Sequence, residues 1–144
     1  YDAIILASAG LKRLGLAERI RHCLAPTLSL PAVGQGALGL ECRADDQELL
    51  ELISPLQHEV TSICVRAERA FNAYLEGGCQ VPIAGYATLA NDQLSIEGRV
   101  GSVDGKTLLK QRLIGTSEDA EQLGEQLAQC LLEQGAGELL KALY

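Results

Sequence analysis

Between residues 58 and 144 the period of the apolar side chains switches from helix to strand and back, and that order leaves few architectures open. Val60, Ile63, Cys64, Ala67, Phe71 and Tyr74 recur at the 3.6-residue spacing of one helix face, and Gly77-Gly78 is where such a helix should stop. Three strand-like runs follow, 82–89, 94–100 and 107–114, joined at Asn91-Asp92 and Asp104-Gly105, pairs that favour tight turns. Thr116 to Asp119 reads as a capping signal, and Ala120, Leu123, Leu127, Cys130 and Leu131 then make a second amphipathic stripe ending at Gly135. The expectation is a three-stranded antiparallel meander with two helices on one face, an α+β unit over residues 58–144.

The residues before it are less regular. Ala3-Ile4-Ile5-Leu6-Ala7 reads as a buried strand, followed by short helical pieces at Leu11 to Leu14 and Ala17 to Cys23, with Pro26 and Pro31 bracketing an irregular connection. From Ala37 to Arg43 the pattern alternates, Leu38, Leu40 and Cys42 against Gly39, Glu41 and Arg43, which is the period of a strand. Asp45 or Asp46 can cap a helix over Glu48 to Ile53, ended by Ser54-Pro55, the expected domain boundary. The sequence begins with Tyr1, holds no Met and opens directly in an apolar run, so it reads as a piece of a longer protein.

Composition removes several function classes. The 144 residues carry 12 Lys+Arg against 19 Asp+Glu, a net charge of −7, which opposes binding to nucleic acid or an anionic membrane. The longest uncharged stretch, His22 to Leu40, contains Pro26, Pro31 and glycines and cannot form a spanning helix. With four Tyr and one Phe there is no stacking platform for single strands, and the core must be aliphatic. Five cysteines without a Cys-x-x-Cys pair imply free thiols in a reducing cytoplasm. Two His give poor material for a zinc site or a Ser-His-Asp triad, and no metal site is expected.

Three places could carry chemistry. Gly34-Gln35-Gly36-Ala37-Leu38-Gly39 matches Gly-x-Gly-x-x-Gly, but Pro31 precedes it and a strand-like alternation follows, so the strand and helix that a dinucleotide site needs are missing. Glycines at a hinge between domains are the better reading. Lys12 and Arg13 lie in the only basic block of an acidic chain and could clamp carboxylates, although an isolated Lys-Arg pair is more often a solvated face. Cys64, Cys130 and Cys42 lie on apolar faces, whereas Cys79, after two glycines and between a helix and a strand, could be exposed and reactive.

Leu30-Pro31-Ala32-Val33-Gly34-Gln35-Gly36-Ala37-Leu38-Gly39-Leu40-Glu41-Cys42-Arg43 and Leu75-Glu76-Gly77-Gly78-Cys79-Gln80-Val81-Pro82-Ile83 closely resemble the porphobilinogen deaminase family, also called hydroxymethylbilane synthases. Tyr1 to Gly15 is similar to it as well, and order and spacing fit over essentially the whole chain. The resemblance implies an α/β architecture before the α+β unit. Residues 1–30 would finish domain 2, one of two lobes built like a periplasmic binding protein, 31–36 would cross back at the hinge, 37–54 would return to domain 1, and 58–144 would form domain 3.

It also implies a transferase in tetrapyrrole and heme biosynthesis. In the family the cysteine of the Gly-Gly-Cys loop, here Cys79, holds a dipyrromethane primer through a thioether, four porphobilinogen molecules are added with loss of ammonia, and linear hydroxymethylbilane is released. Arg13 falls on a substrate-binding arginine, and Gln35 and Gly36 fall at the crossover lining the cleft. The implied partners are porphobilinogen, its oligopyrrole intermediates and an N-terminal part of the same enzyme, a monomer. The acid that handles protons is an aspartate of the first domain that no residue here matches, so no catalytic residue is assigned, and the chain alone is expected to lack turnover. The alternatives are a small α+β binding or regulatory module with Cys79 an ordinary loop thiol, and a nucleotide-dependent enzyme built around Gly34 to Gly39.

Overall fold

A computed structural model describes residues 1–78 and 81–142. It falls into two compact units, residues 1–30 and 31–144. In the first, α1 (Ser8–Arg13) is followed by a 3-10 turn at Ala17–Arg19 that stops short of Cys23. The strand expected over Ala3–Ala7 does not form: residues 1–7 have no strand partner, and Ile4, Ile5 and Leu6 are exposed. An apolar run supplies side chains for a sheet but not the neighbouring ladder that its N–H and C=O groups require.

The second unit opens with successive turns, Gln35 N–H donating to Ala32 O at 3.0 Å and Ala37 N–H to Gly34 O at 3.1 Å. Gly34 and Gly36 take φ of +70° and +87°, which side chains other than glycine rarely adopt. The strand expected over Ala37–Arg43 is absent for the same reason as the first, with Leu38 and Leu40 left in solvent. By contrast α2 (Gln47–Ile53) lies where the sequence places it. The Asp46 carboxylate caps it, accepting from the Leu49 amide at 3.2 Å, and Pro55 stands in the 3-10 turn that follows at Ser54–Leu56.

From residue 58 onward the expected α+β unit is present. α3 (Glu59–Tyr74) is capped by His58, whose Nδ1 accepts from the Thr61 amide at 3.3 Å. β1 (Ile83–Ala90), β2 (Gln93–Gly101) and β3 (Leu108–Thr116) pair antiparallel in sequence order. Asn91 and Asp92, at φ of +50° and +62°, make the two-residue turn of the first hairpin, both in the left-handed region that its twist demands. α4 (Ala120–Glu133) follows, with Asp119 at its N-cap, but the Asp119 carboxylate takes the Thr116 hydroxyl at 2.9 Å instead of a helix amide. Gly135, at φ of +100°, ends the stripe and starts a last helix, α5 (Ala136–Lys141), too short to show a period.

Both long helices cover one face of the sheet. Leu94, Ile96 and Val100 of β2 meet Ala67 and Phe71 of α3 and Leu123, Leu127 and Leu131 of α4, all buried. Phe71, the chain's one Phe, lies over the cross-strand pair Gly85 and Gly98: a Cβ at either would stand 2.8 or 2.7 Å from its ring. The two missing side chains make the space the ring fills, so one aromatic residue centres an otherwise aliphatic core. The opposite face is polar, with Arg99 paired to Glu97 at 2.6 Å and Arg112 donating to Ser95 at 2.7 Å.

Candidate cofactor and substrate site

The loop after α3 is shaped by how the helix ends. Glu76 N–H donates to Ala73 O at 3.0 Å and Gly77 N–H to Asn72 O at 2.9 Å, the paired bonds of a Schellman ending, which places Glu76 in the left-handed position at φ +52°. The sequence suggested that Gly77-Gly78 stops the helix; the stop is one residue earlier and on a glutamate. Gly77 is glycine for another reason. The Asn72 side chain folds over it, donating from Nδ2 to Gly77 O at 3.1 Å, and a Cβ at Gly77 would collide with the Asn72 amide. Gly78 has open space where a side chain would be.

A left-handed glutamate costs about 1–2 kcal/mol, and glycine gives back about 0.4–1 kcal/mol through the entropy of the unfolded chain. Glu76→Gly should therefore stabilise the protein by about 0.5–1 kcal/mol, read as a higher urea midpoint at unchanged slope. A lower midpoint would mean that the Glu76 side chain makes a contact worth more than the strain.

Cys79 and Gln80 lie outside the described residues. The other four cysteines are free thiols. Cys64 is half-buried and packs against the core, as the helix stripe suggested, and burial, with the nearby Glu68 carboxylate behind it, pushes its thiol above the ordinary pKa. Gln35 and Gly36 are exposed on the successive turns of residues 32–37, and no helix opens from Gly34 to Gly39, so the dinucleotide reading lacks its structural context. In the first unit, Arg13 ends α1 with Lys12 beside it, where cations favour the carboxyl end of a helix, and it is exposed and forms no ion pair among the described residues.

Glu68 was not singled out from the sequence. It is 5% exposed on α3, and its carboxylate accepts two main-chain amides, Gly34 N–H at 2.7 Å on Oε2 and Ala87 N–H at 2.8 Å on Oε1. The signal was available: Glu68 stands four residues after Cys64 and three before Phe71, inside the apolar sector of the helix. A depression of about 460 Å³ opens elsewhere, lined by Gln57, Ser62, Arg66 and Glu118 among others, but Arg66 is already held there by Glu121 at 3.0 Å. No cluster of three metal-ligating side chains occurs among the described residues, and no helix among them is long and apolar enough to cross a membrane.

Residues 62–133 match the family described as porphobilinogen deaminase, C-terminal domain, and residues 1–51 match porphobilinogen deaminase, dipyromethane cofactor binding domain. The chain belongs to the porphobilinogen deaminase family. Its role is that of hydroxymethylbilane synthase, a transferase of tetrapyrrole biosynthesis acting on porphobilinogen, and its cofactor is dipyrromethane. The first match contains the loop from Leu75 to Ile83, and the second contains Arg13, Gln35 and Gly36.

Proposed function

We propose that Cys79 is the attachment point of the dipyrromethane primer, that Arg13 binds carboxylates of the growing oligopyrrole, and that Gln35 and Gly36 at the crossover are substrate-binding as well. The supporting observation is that the Gly-Gly-Cys segment lies within the matched C-terminal domain, directly after the Schellman ending of α3. The neighbouring geometry suits a bulky adduct: Gly77 and Gly78 present no side chains, and nothing lies within 4 Å of the Cβ position of Gly78.

The donor set fits the group. A thiol can form a thioether, a bond that survives the repeated additions, and an unpaired guanidinium can grip a carboxylate by two parallel hydrogen bonds. Porphobilinogen carries acetate and propionate groups, so each addition brings new carboxylates to be held. When bound, the primer supplies a pyrrole carbon nucleophile. What this chain supplies is the tether at Cys79 and the cationic grip at Arg13, which fix orientation and so replace an encounter in solution by an intramolecular one.

The proton-handling aspartate of the family has no counterpart in these 144 residues, and turnover is assigned to this chain together with an N-terminal part of the enzyme. The exposed runs Ile4-Ile5-Leu6 and Leu38 to Leu40 support a reading of residues 1–30 and 37–54 as segments of two periplasmic-binding-protein-like lobes, joined at 31–36, with residues 58–144 as the third domain. A cytoplasmic monomer, binding neither nucleic acid nor membrane, agrees with the net charge of −7 and the free thiols.

Intact mass and peptide mapping of the chain co-expressed with that N-terminal part test the assignment. A two-pyrrole adduct on the Cys79 peptide, and on none of the other four cysteines, is the expected result. An active preparation with unmodified Cys79 would overturn it.

A further inference from the structure

Glu68 joins three parts of the second unit that are distant in sequence. It sits on α3, and its two oxygens hold the amides of Gly34 in the crossover and Ala87 in β1, at 2.7 and 2.8 Å. A carboxylate out of water is costly unless its lone pairs are filled, and an acid kept inside an apolar helix face must do something a leucine could not. Here it supplies two acceptors on one rigid fork, each for a main-chain donor that would otherwise lack one. Next to it the crossover makes an apolar contact as well: Val33 Cγ2 is 3.6 Å from where a Gly85 Cβ would stand. Val33 and Gly34 are thus docked, while Gln35 and Gly36 beyond them face solvent.

The helix that bears Glu68 runs on for six residues to Tyr74, about 9 Å at 1.5 Å per residue, and then into the Gly77-Gly78-Cys79 loop. We propose that Glu68 is a positioning residue for the polymerisation: by pinning Gly34 to α3 and β1, it holds Gln35 and Gly36 in a fixed relation to the helix leading to the primer. The inference rests on the assignment of the primer to Cys79 and of the crossover to the cleft. A tethered chain that is extended four times needs its binding wall held steady relative to its anchor, because reaction depends on alignment within fractions of an ångström. The clamp acts through the crossover backbone and touches no reacting atom.

Glu68→Gln is the test, in the complete enzyme with its primer. Glutamine keeps the shape but sets an NH2 group against one of the two amide donors, so one tie is lost. The exchange rate of the Gly34 or Ala87 amide should rise about tenfold or more, while the mass at Cys79 stays that of the loaded enzyme. In a clamp that acts in the transition state, kcat and kcat/KM fall together, by about tenfold. A folded variant with a released amide and unchanged kcat would overturn the positioning role, since a merely structural tie lowers the melting temperature alone. In the unsubstituted enzyme, a Gly34 amide that exchanges as fast as that of exposed Gln35 would overturn the clamp itself. If Glu68→Gln does not fold, Val33→Ala loosens the same crossover from its apolar side and should lower kcat severalfold; an unchanged kcat there counts against the proposal. An unmodified Cys79 in the active, unsubstituted enzyme would instead refute the primer assignment, whatever the amides do.

Discussion

Replacing Cys79 with alanine should abolish hydroxymethylbilane formation while leaving the fold intact. Without the sulfur the primer has no tether, and each addition becomes an encounter between separate molecules. Effective molarities of well-oriented intramolecular reactions are about 10⁵ M and above, so a loss of at least about 10³-fold in rate is expected even if some primer binds without a covalent bond. The fold should not suffer, because α3 is closed by its own main-chain bonds before residue 79 and the core among the described residues is filled by other side chains. Assaying porphobilinogen consumption beside intact mass and circular dichroism checks this. A Cys79→Ala enzyme that keeps more than about one tenth of its activity would remove the cysteine from the mechanism.

The largest effect on stability is expected at Gly124. Inside an isolated helix, glycine to alanine gains about 1 kcal/mol. In α4 the sign reverses, because a Cβ at Gly124 would collide with the Ala67 carbonyl oxygen and come within 2.9 Å of the Phe71 amide nitrogen. Both are backbone atoms of α3, so no rotamer change relieves the clash, and the two helices must separate over a core that is otherwise filled. Overpacking of this kind typically costs about 1–3 kcal/mol, and against rigid backbone the upper end applies, leaving a net loss of about 2 kcal/mol after the propensity gain. Chemical denaturation of Gly124→Ala measures it directly, and a stabilised variant would show that the helices do not cross at this contact.

The legible part of the fold is the part whose signals are local. The stripe from Val60 to Tyr74 and the runs around Asn91-Asp92 and Asp104-Gly105 carry their own period and punctuation, and α3, α4 and the meander lie within a few residues of where those signals put them. Strands at Ala3–Ala7 and Ala37–Arg43 were misread because a strand is a property of a pair: alternation at Leu38 and Leu40 says which side chains could be buried, and nothing about a partner. Glu76 was missed as the helix stop since glycine is the usual left-handed residue and two glycines followed. Gly124 carries no local signal, because the backbone of α3 that requires a glycine there lies more than fifty residues away in sequence.

The candidate site divides along the same line. For Cys79, position after two glycines left a reactive thiol and an ordinary loop cysteine both open, and the proposed role comes from the family motif around it. Glu68 was visible as a charge inside an apolar sector, yet its partners stand 34 residues before and 19 after it, a separation no local pattern reports.

The ring of Phe71 over Gly85 and Gly98 ties three positions into one volume. Any side chain added at 85 or 98 takes space from 71, so substitutions at these sites do not act independently, and their energies cannot be summed. Among related sequences the three should drift together or not at all: a smaller residue at 71 opens the way for a Cβ on the strands, and each change made alone passes through a destabilised intermediate. A single aromatic ring thereby restricts the order in which the core of this domain can evolve.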